Sequence, residues 1–306
     1  MCLIFLWSCG GDDSEPGPII EPELRYGAFI DDTTYEVFAT PEDNFEIAEF
    51  KLWVPDITNP VRAVAVLTHS YNSNGLGYAN SAYWQEFARK ESIAILAVYL
   101  TNAEGASVSY TDAQRGSGRA LLNSLGFLAD KIGKDYIKDL PLLLRGYSAG
   151  GVFSYSFSGF LPDRVLGFAN MRGGSMDITP DTNLRIPGLL FFGELDAPQR
   201  NSRIFEVIAE KRLAGANWSL ILEPDTDHFG GLDAPEAMIQ MFFSEVLEKR
   251  LLSGSNTLAD IPENSGWLGD NVRGEIYSFD QYPYDKTKAS WLLSEEFAKQ
   301  WLDFQR

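Results

Sequence analysis

Leu142-Leu143-Leu144-Arg145-Gly146-Tyr147-Ser148-Ala149-Gly150-Gly151-Val152 sets a short apolar run directly against a Gly-x-Ser-x-Gly cluster. A run of this kind fits a strand covered on both faces, and the residues that follow Ser148 are compatible with a helix. Where a strand turns at once into a helix, the residue at the turn is lifted above the sheet edge. Its neighbours must be small, because larger side chains would clash in so tight a bend. Ser148 is therefore the candidate nucleophile, and the context of strand before and helix after gives the motif its weight.

Working outward, the segments 35–39 and 47–54 alternate apolar and polar residues and read as antiparallel edge strands. From residue 63 the pattern changes. Apolar runs at 63–67, 93–100, 142–144, 165–169, 188–192 and 218–222 alternate with helical stretches at 81–90, 112–132, after Ser148, 202–214 and 235–252. Strands alternating with helices predict the α/β class: a mostly parallel twisted sheet with helices on both faces. One domain is expected over 25–252. The segment 253–306, with Trp267, Trp291 and Trp301 and a closing helix at 294–304, reads as an extension packed on it, being too short for a core of its own.

A serine hydroxyl needs a base within hydrogen-bond reach, normally a histidine oriented by a carboxylate. The chain has two histidines. His69 ends the first central strand and reads as a residue tying down the loop there, whereas His228 follows the last predicted strand, where the order Ser, Asp, His requires the base. Asp196, beyond the strand that precedes the last one, is the expected orienting acid. Glu194, Asp225 and Asp227 compete for that role, and the last two also suit the turn that presents His228.

The strand order, Gly146 to Gly150, Gly193-Glu194-Leu195-Asp196 and Asp227-His228 together resemble the α/β-hydrolase family over about residues 63–252. The resemblance implies an oxyanion hole made by the backbone N–H of Ala149 and an N–H from the loop after the first central strand. That loop starts Thr68-His69-Ser70-Tyr71; His69 matches a His-Gly strand end common in the family, Ser70 departs from it, and Tyr71 would supply the second N–H. Only about twenty residues separate the strands at 165–169 and 188–192, so no large cap domain is expected, as in the polyester depolymerase and feruloyl esterase branch that the chain is similar to. The serine implies a carboxylic ester hydrolase working through an acyl-enzyme, and the open cleft a bulky or polysaccharide-linked ester. A serine peptidase of the same fold and a noncatalytic glycan-binding surface lipoprotein are the alternatives.

Among 306 residues, 25 Lys and Arg stand against 43 Asp and Glu, a net charge of −18. Such a surface repels phosphate backbones and excludes nucleic acid as a partner. With no glycine-rich phosphate loop and only two histidines, no cofactor and no metal site are expected. Both cysteines, Cys2 and Cys9, precede the body of the protein, so packing rather than disulfides must hold it together. Leu6-Trp7-Ser8-Cys9 resembles the lipobox of bacterial lipoproteins. That implies a signal peptide at 1–8, a lipid anchor on Cys9 as the membrane contact, and an acidic Pro/Gly-rich tether at 9–24. The expected location is the outer membrane or cell surface, or else the periplasm or the medium.

Overall fold

The computed structural model describes residues 26–177, 181–252 and 258–306, so the signal, tether and Cys9 expectations lie outside the described residues. The buried apolar runs become strands β4 (Val64–Thr68), β6 (Leu142–Tyr147), β7 (Val165–Met171) and β8 (Gly188–Gly193), buried at every position, with β5 (Ala94–Leu100) nearly so. Both faces of these strands are covered, which is why no alternation of polarity marks them. β9 (Trp218–Glu223) pairs with β8, and the antiparallel strands β1 (Gly27–Asp31), β2 (Thr34–Val37) and β3 (Ala48–Trp53) close the other side. Among the described residues this makes a nine-stranded sheet in the order β1-β2-β3-β5-β4-β6-β7-β8-β9, parallel from β5 through β9.

Helices α1 (Ala82–Glu91), α2 (Ser117–Lys131), α3 (Ala149–Phe160), α4 (Pro198–Leu213) and α5 (Asp233–Arg250) connect the strands, and the sheet divides the core into two apolar clusters, one on each face. No cap domain stands between β7 and β8 among the described residues. Three local differences from the sequence reading have physical causes. The helix expected over 112–132 is broken at Gly116, whose φ of 131° is left-handed and whose added Cβ would meet Asp43 Oδ1 at 2.1 Å. α4 starts four residues earlier than the expected 202, because Pro198 fits the first helical turn, where no backbone N–H is needed. β1 was not anticipated: four of its five residues are exposed, so burial imposes no apolar pattern.

The C-terminal segment forms a small antiparallel sheet, β11 (Glu275–Ser278), β10 (Trp267–Asp270) and β12 (Ser290–Leu292), followed by α6 (Glu295–Phe304). Trp291, Phe297 and Trp301 are buried in the same apolar cluster as Ile221 of β9 and Phe242 and Phe243 of α5. Ser290 Oγ accepts from the Leu220 N–H at 3.0 Å and Trp301 Nε1 donates to the Leu220 carbonyl at 2.8 Å. The segment therefore satisfies backbone groups along β9, an otherwise open sheet edge. Trp291 and Trp301 pack; they are not presented to solvent.

Candidate active site

The carboxyl ends of β4, β6, β8 and β9 converge where open α/β sheets bind ligands. Ser148 stands between β6 and α3 with φ 54° and ψ −119°, a conformation a non-glycine residue adopts only when its surroundings enforce it. The enforcement is visible on both sides. A Cβ on Gly146 would lie 1.9 Å from the Gly150 carbonyl oxygen, and one on Gly150 would lie 2.3 Å from that of His69. The absent side chains thus let α3 start directly over the strand end and let the β4 loop approach it. Ala149, the first residue of α3, sits in the helix N-terminal turn, whose free N–H groups favour negative charge.

Ser148 Oγ lies 2.9 Å from His228 Nε2, and His228 Nδ1 lies 2.9 Å from Asp196 Oδ2. With the hydroxyl donating to Nε2, Nδ1 carries the proton and donates to the carboxylate, the tautomer a general base requires. Asp196 is buried, and its other oxygen, Oδ1, accepts from the Ala197 N–H at 2.6 Å and from Arg200 on the first turns of α4. Its two oxygens are thus held by separate donors, which fixes the plane of the carboxylate. The competing acids go elsewhere: Glu194 Oε2 accepts from the Asp225 N–H at 3.0 Å, and Asp227 Oδ1 accepts from the Phe229 N–H at 2.9 Å. Asp225, with φ 49°, and Asp227 shape the turn before His228.

The loop after β4 is tied to its surroundings by side chains. Asn72 Oδ1 accepts from the Asn102 N–H at 2.9 Å, and the Tyr71 hydroxyl accepts from Asn102 Nδ2 at 3.3 Å. Tyr71 itself is more than half exposed. His69 Nδ1 accepts from the Ser70 N–H at 2.8 Å, and its ring stacks on Tyr78. Burial, reinforced by the positive Arg145, holds its imidazole below the ordinary histidine pKa, so His69 stays neutral and serves the loop.

Two arginines that the sequence reading did not single out lie beneath these parts. Arg145, in the middle of buried β6, pairs with Glu236 of α5, donates to the Thr68 carbonyl at 3.1 Å and lies over the Tyr78 ring. Burial raises the Glu236 carboxyl pKa and Arg145 opposes the rise. Arg172, just past β7, pairs with Glu223 at the end of β9 and donates to carbonyls of the His228 loop. A charged residue inside an apolar run is the one signal that marks Arg145, because such a charge must find a partner. For Arg172 nothing local does so.

Beside α3 lies a cleft of about 670 Å³, lined by polar groups including Gln114, Arg115, Ser156 and Ser175. It flanks the serine rather than containing it: Val152, one of its walls, is about one helical turn beyond Ser148. Among the described residues no group of three or more His, Cys, Asp or Glu side chains is gathered to hold a metal ion.

The chain matches no protein-family model and no curated protein. Solved structures do resemble it. A thermostable esterase, 15% identical, aligns over 63% of this chain with TM-score 0.47, and the chain spans only 54% of that protein. LpqC, a poly(3-hydroxybutyrate) depolymerase from Bordetella parapertussis, is 16% identical over 75% of this chain and 92% of its own, with TM-score 0.48. A ferulic acid esterase, 12% identical, aligns over 70% of this chain and 96% of its own with TM-score 0.52. That last likeness is one of fold, and with the strand order above it shows an α/β-hydrolase sheet flanked by helices.

Proposed function

We propose that the protein is a serine hydrolase that cleaves carboxylic esters through an acyl-enzyme. The observation that carries the proposal is the unbroken relay from Ser148 Oγ through His228 to Asp196, both links at 2.9 Å. In the first half-reaction the Ser148 oxygen attacks the ester carbonyl carbon while His228 Nε2 takes the hydroxyl proton. The resulting imidazolium is stabilised by Asp196. The carbonyl oxygen becomes an oxyanion, for which the backbone N–H groups of Ala149 and Tyr71 are the proposed donors; each such donor lowers a barrier by about 3 kcal/mol. Collapse expels the alcohol, which leaves with the proton held on Nε2. Water then attacks the acyl-enzyme, giving its proton to His228, and the carboxylic acid departs as Ser148 regains its hydrogen.

The substrate we favour is a bulky ester, such as an acyl group on a polysaccharide. The site has no cap over it among the described residues, and the cleft beside α3 offers hydroxyls, amides and charges in place of an apolar slot. Export with a lipid anchor on Cys9 belongs to the same reading, since such a substrate lies outside the cell.

Purified protein should hydrolyse p-nitrophenyl acetate and label with a fluorophosphonate, and Ser148→Ala should abolish both while melting as the wild type does. A wild type that neither hydrolyses nor labels would sink the proposal and leave a glycan-binding role. Cleavage of peptide amides without esters would point to a peptidase.

A further inference from the structure

Arg172 is fully buried and holds φ 59°, so the chain turns sharply at the end of β7 and sends the side chain under the loop that follows β9. Its Nε and Nη2 bind the two oxygens of Glu223 at 2.7 and 2.5 Å. The remaining donors go to main-chain carbonyls. Nη1 reaches those of His228 at 3.2 Å and Gly230 at 2.8 Å, and Nη2 that of Gly231 at 3.2 Å. The Tyr147 hydroxyl donates to the same His228 carbonyl at 2.6 Å, and its ring stacks on the His228 imidazole at 5.6 Å. The peptide that carries the imidazole is thereby fastened to the ends of three strands by one guanidinium and one phenol.

We propose that Arg172, braced by Glu223, is the positioning residue for His228: it fixes the loop backbone so that the imidazole stands between Ser148 Oγ and Asp196. The inference rests on the hydrolase reading above only in what the position is for. Two properties of the arrangement favour it over plain loop packing. The guanidinium is a planar fork whose donors diverge, which suits one carboxylate and several carbonyls at once; a lysine ammonium is a point donor and cannot replace it. The carbonyls it binds are those of residue 228 and its near neighbours, so the clamp acts on the ring's own backbone.

Removing Arg172 alone would strand Glu223 as a buried charge, so the deciding variant is the double substitution Arg172→Met with Glu223→Leu, which removes the pair together. It should fold, with kcat on p-nitrophenyl acetate about 100-fold below wild type, the loss a displacement of about 1 Å produces. KM should stay within about threefold. Amide hydrogen exchange at residues 228–231 should accelerate while that of β4 to β8 holds. The deshielded His228 Nδ1–H proton resonance, identifiable because the chain has two histidines, should broaden or vanish. Arg172→Lys, which keeps the charge opposite Glu223 and loses the fork, should also lose most of kcat, and it carries the test if the double variant does not fold. A double variant with kcat within threefold of wild type and unchanged exchange at 228–231 would overturn the proposal, and so would a lysine variant equal to wild type. The exchange and resonance arms need no substrate, so they decide the clamp even if the wild type proves inert on esters.

Discussion

Glu236→Leu tests whether the charge inside β6 is held by a single partner. Arg145 has a fully buried side chain, and Glu236, on α5, is its carboxylate partner; among the described residues Arg145 Nε and Glu236 Oε2 have no other hydrogen bond. Removing the carboxylate leaves a buried guanidinium that faces the Thr68 carbonyl and Tyr78, with no anion to balance it. Breaking a buried pair in this way costs about 3–5 kcal/mol. Unfolding entropy of about 2 cal/mol/K per residue over 306 residues comes to roughly 0.6 kcal/mol/K. The variant should therefore melt about 5–8 °C below wild type by calorimetry. The double substitution Glu236→Leu with Arg145→Met should recover most of that loss, because a buried ion pair is often no better than well-packed apolar residues of similar volume. It should not recover full activity, since the Thr68 carbonyl loses its donor. A single variant melting within about 2 °C of wild type would refute the reasoning, for the charge would then have another outlet.

Three further outcomes follow from the same geometry. Tyr147→Phe removes one hydrogen bond to the His228 carbonyl and should cost about 1 kcal/mol of stability with a small loss of kcat, measured by urea unfolding and steady-state kinetics. Gly146→Ala should prevent folding to the soluble species the wild type forms, because its Cβ would overlap backbone at Gly150 and Gly151, which cannot retreat; size-exclusion chromatography of the two side by side checks it. The depressed pKa of His69 makes the unfolded chain bind the extra proton more readily than the folded one. His69's contribution is thus fully present above its ordinary pKa of about 6.5 and declines as pH falls below it toward the folded value. Melting temperatures measured across that window should fall more steeply for wild type than for His69→Gln, and parallel curves would contradict the assignment.

Strand and helix order was legible because burial leaves traces in the sequence: the central strands are largely apolar runs, and Ser148 stands where one of them passes through a glycine-flanked turn into a helix. Chain order alone nominated Asp196 and His228, and the fold brings both to Ser148. The rest has no local trace. β10, β11 and β12 are three or four residues long and owe their pairing to neighbours elsewhere in the fold, so no apolar run or alternation marks them. Glu223 and Glu236 look like ordinary surface acids, since the arginines that claim them lie 51 and 91 residues away. The Arg200 contact with Asp196 reaches back only four residues, yet its meaning depends on knowing that the other carboxylate oxygen faces an imidazole.

Two buried arginine–glutamate pairs flank the serine, and neither is explained by stability alone, because each could be exchanged for apolar side chains at little net cost. What apolar side chains could not supply is direction. Arg145 aims a donor at the carbonyl of Thr68, where β4 hands over to the loop proposed to bind the oxyanion, and Arg172 aims donors at the loop that carries the imidazole. Arg145 sits on a central strand and Arg172 directly at the end of one, and each carboxylate comes from an element later in the chain. The serine between them is fixed by its own glycines. The parts that must approach it from either side arrive on loops, and loops take a defined position only where a rigid element reaches out to hold them. The charges are therefore buried where loop meets sheet, which is where hydrogen-bond geometry, rather than the area of apolar contact, decides whether three distant side chains meet.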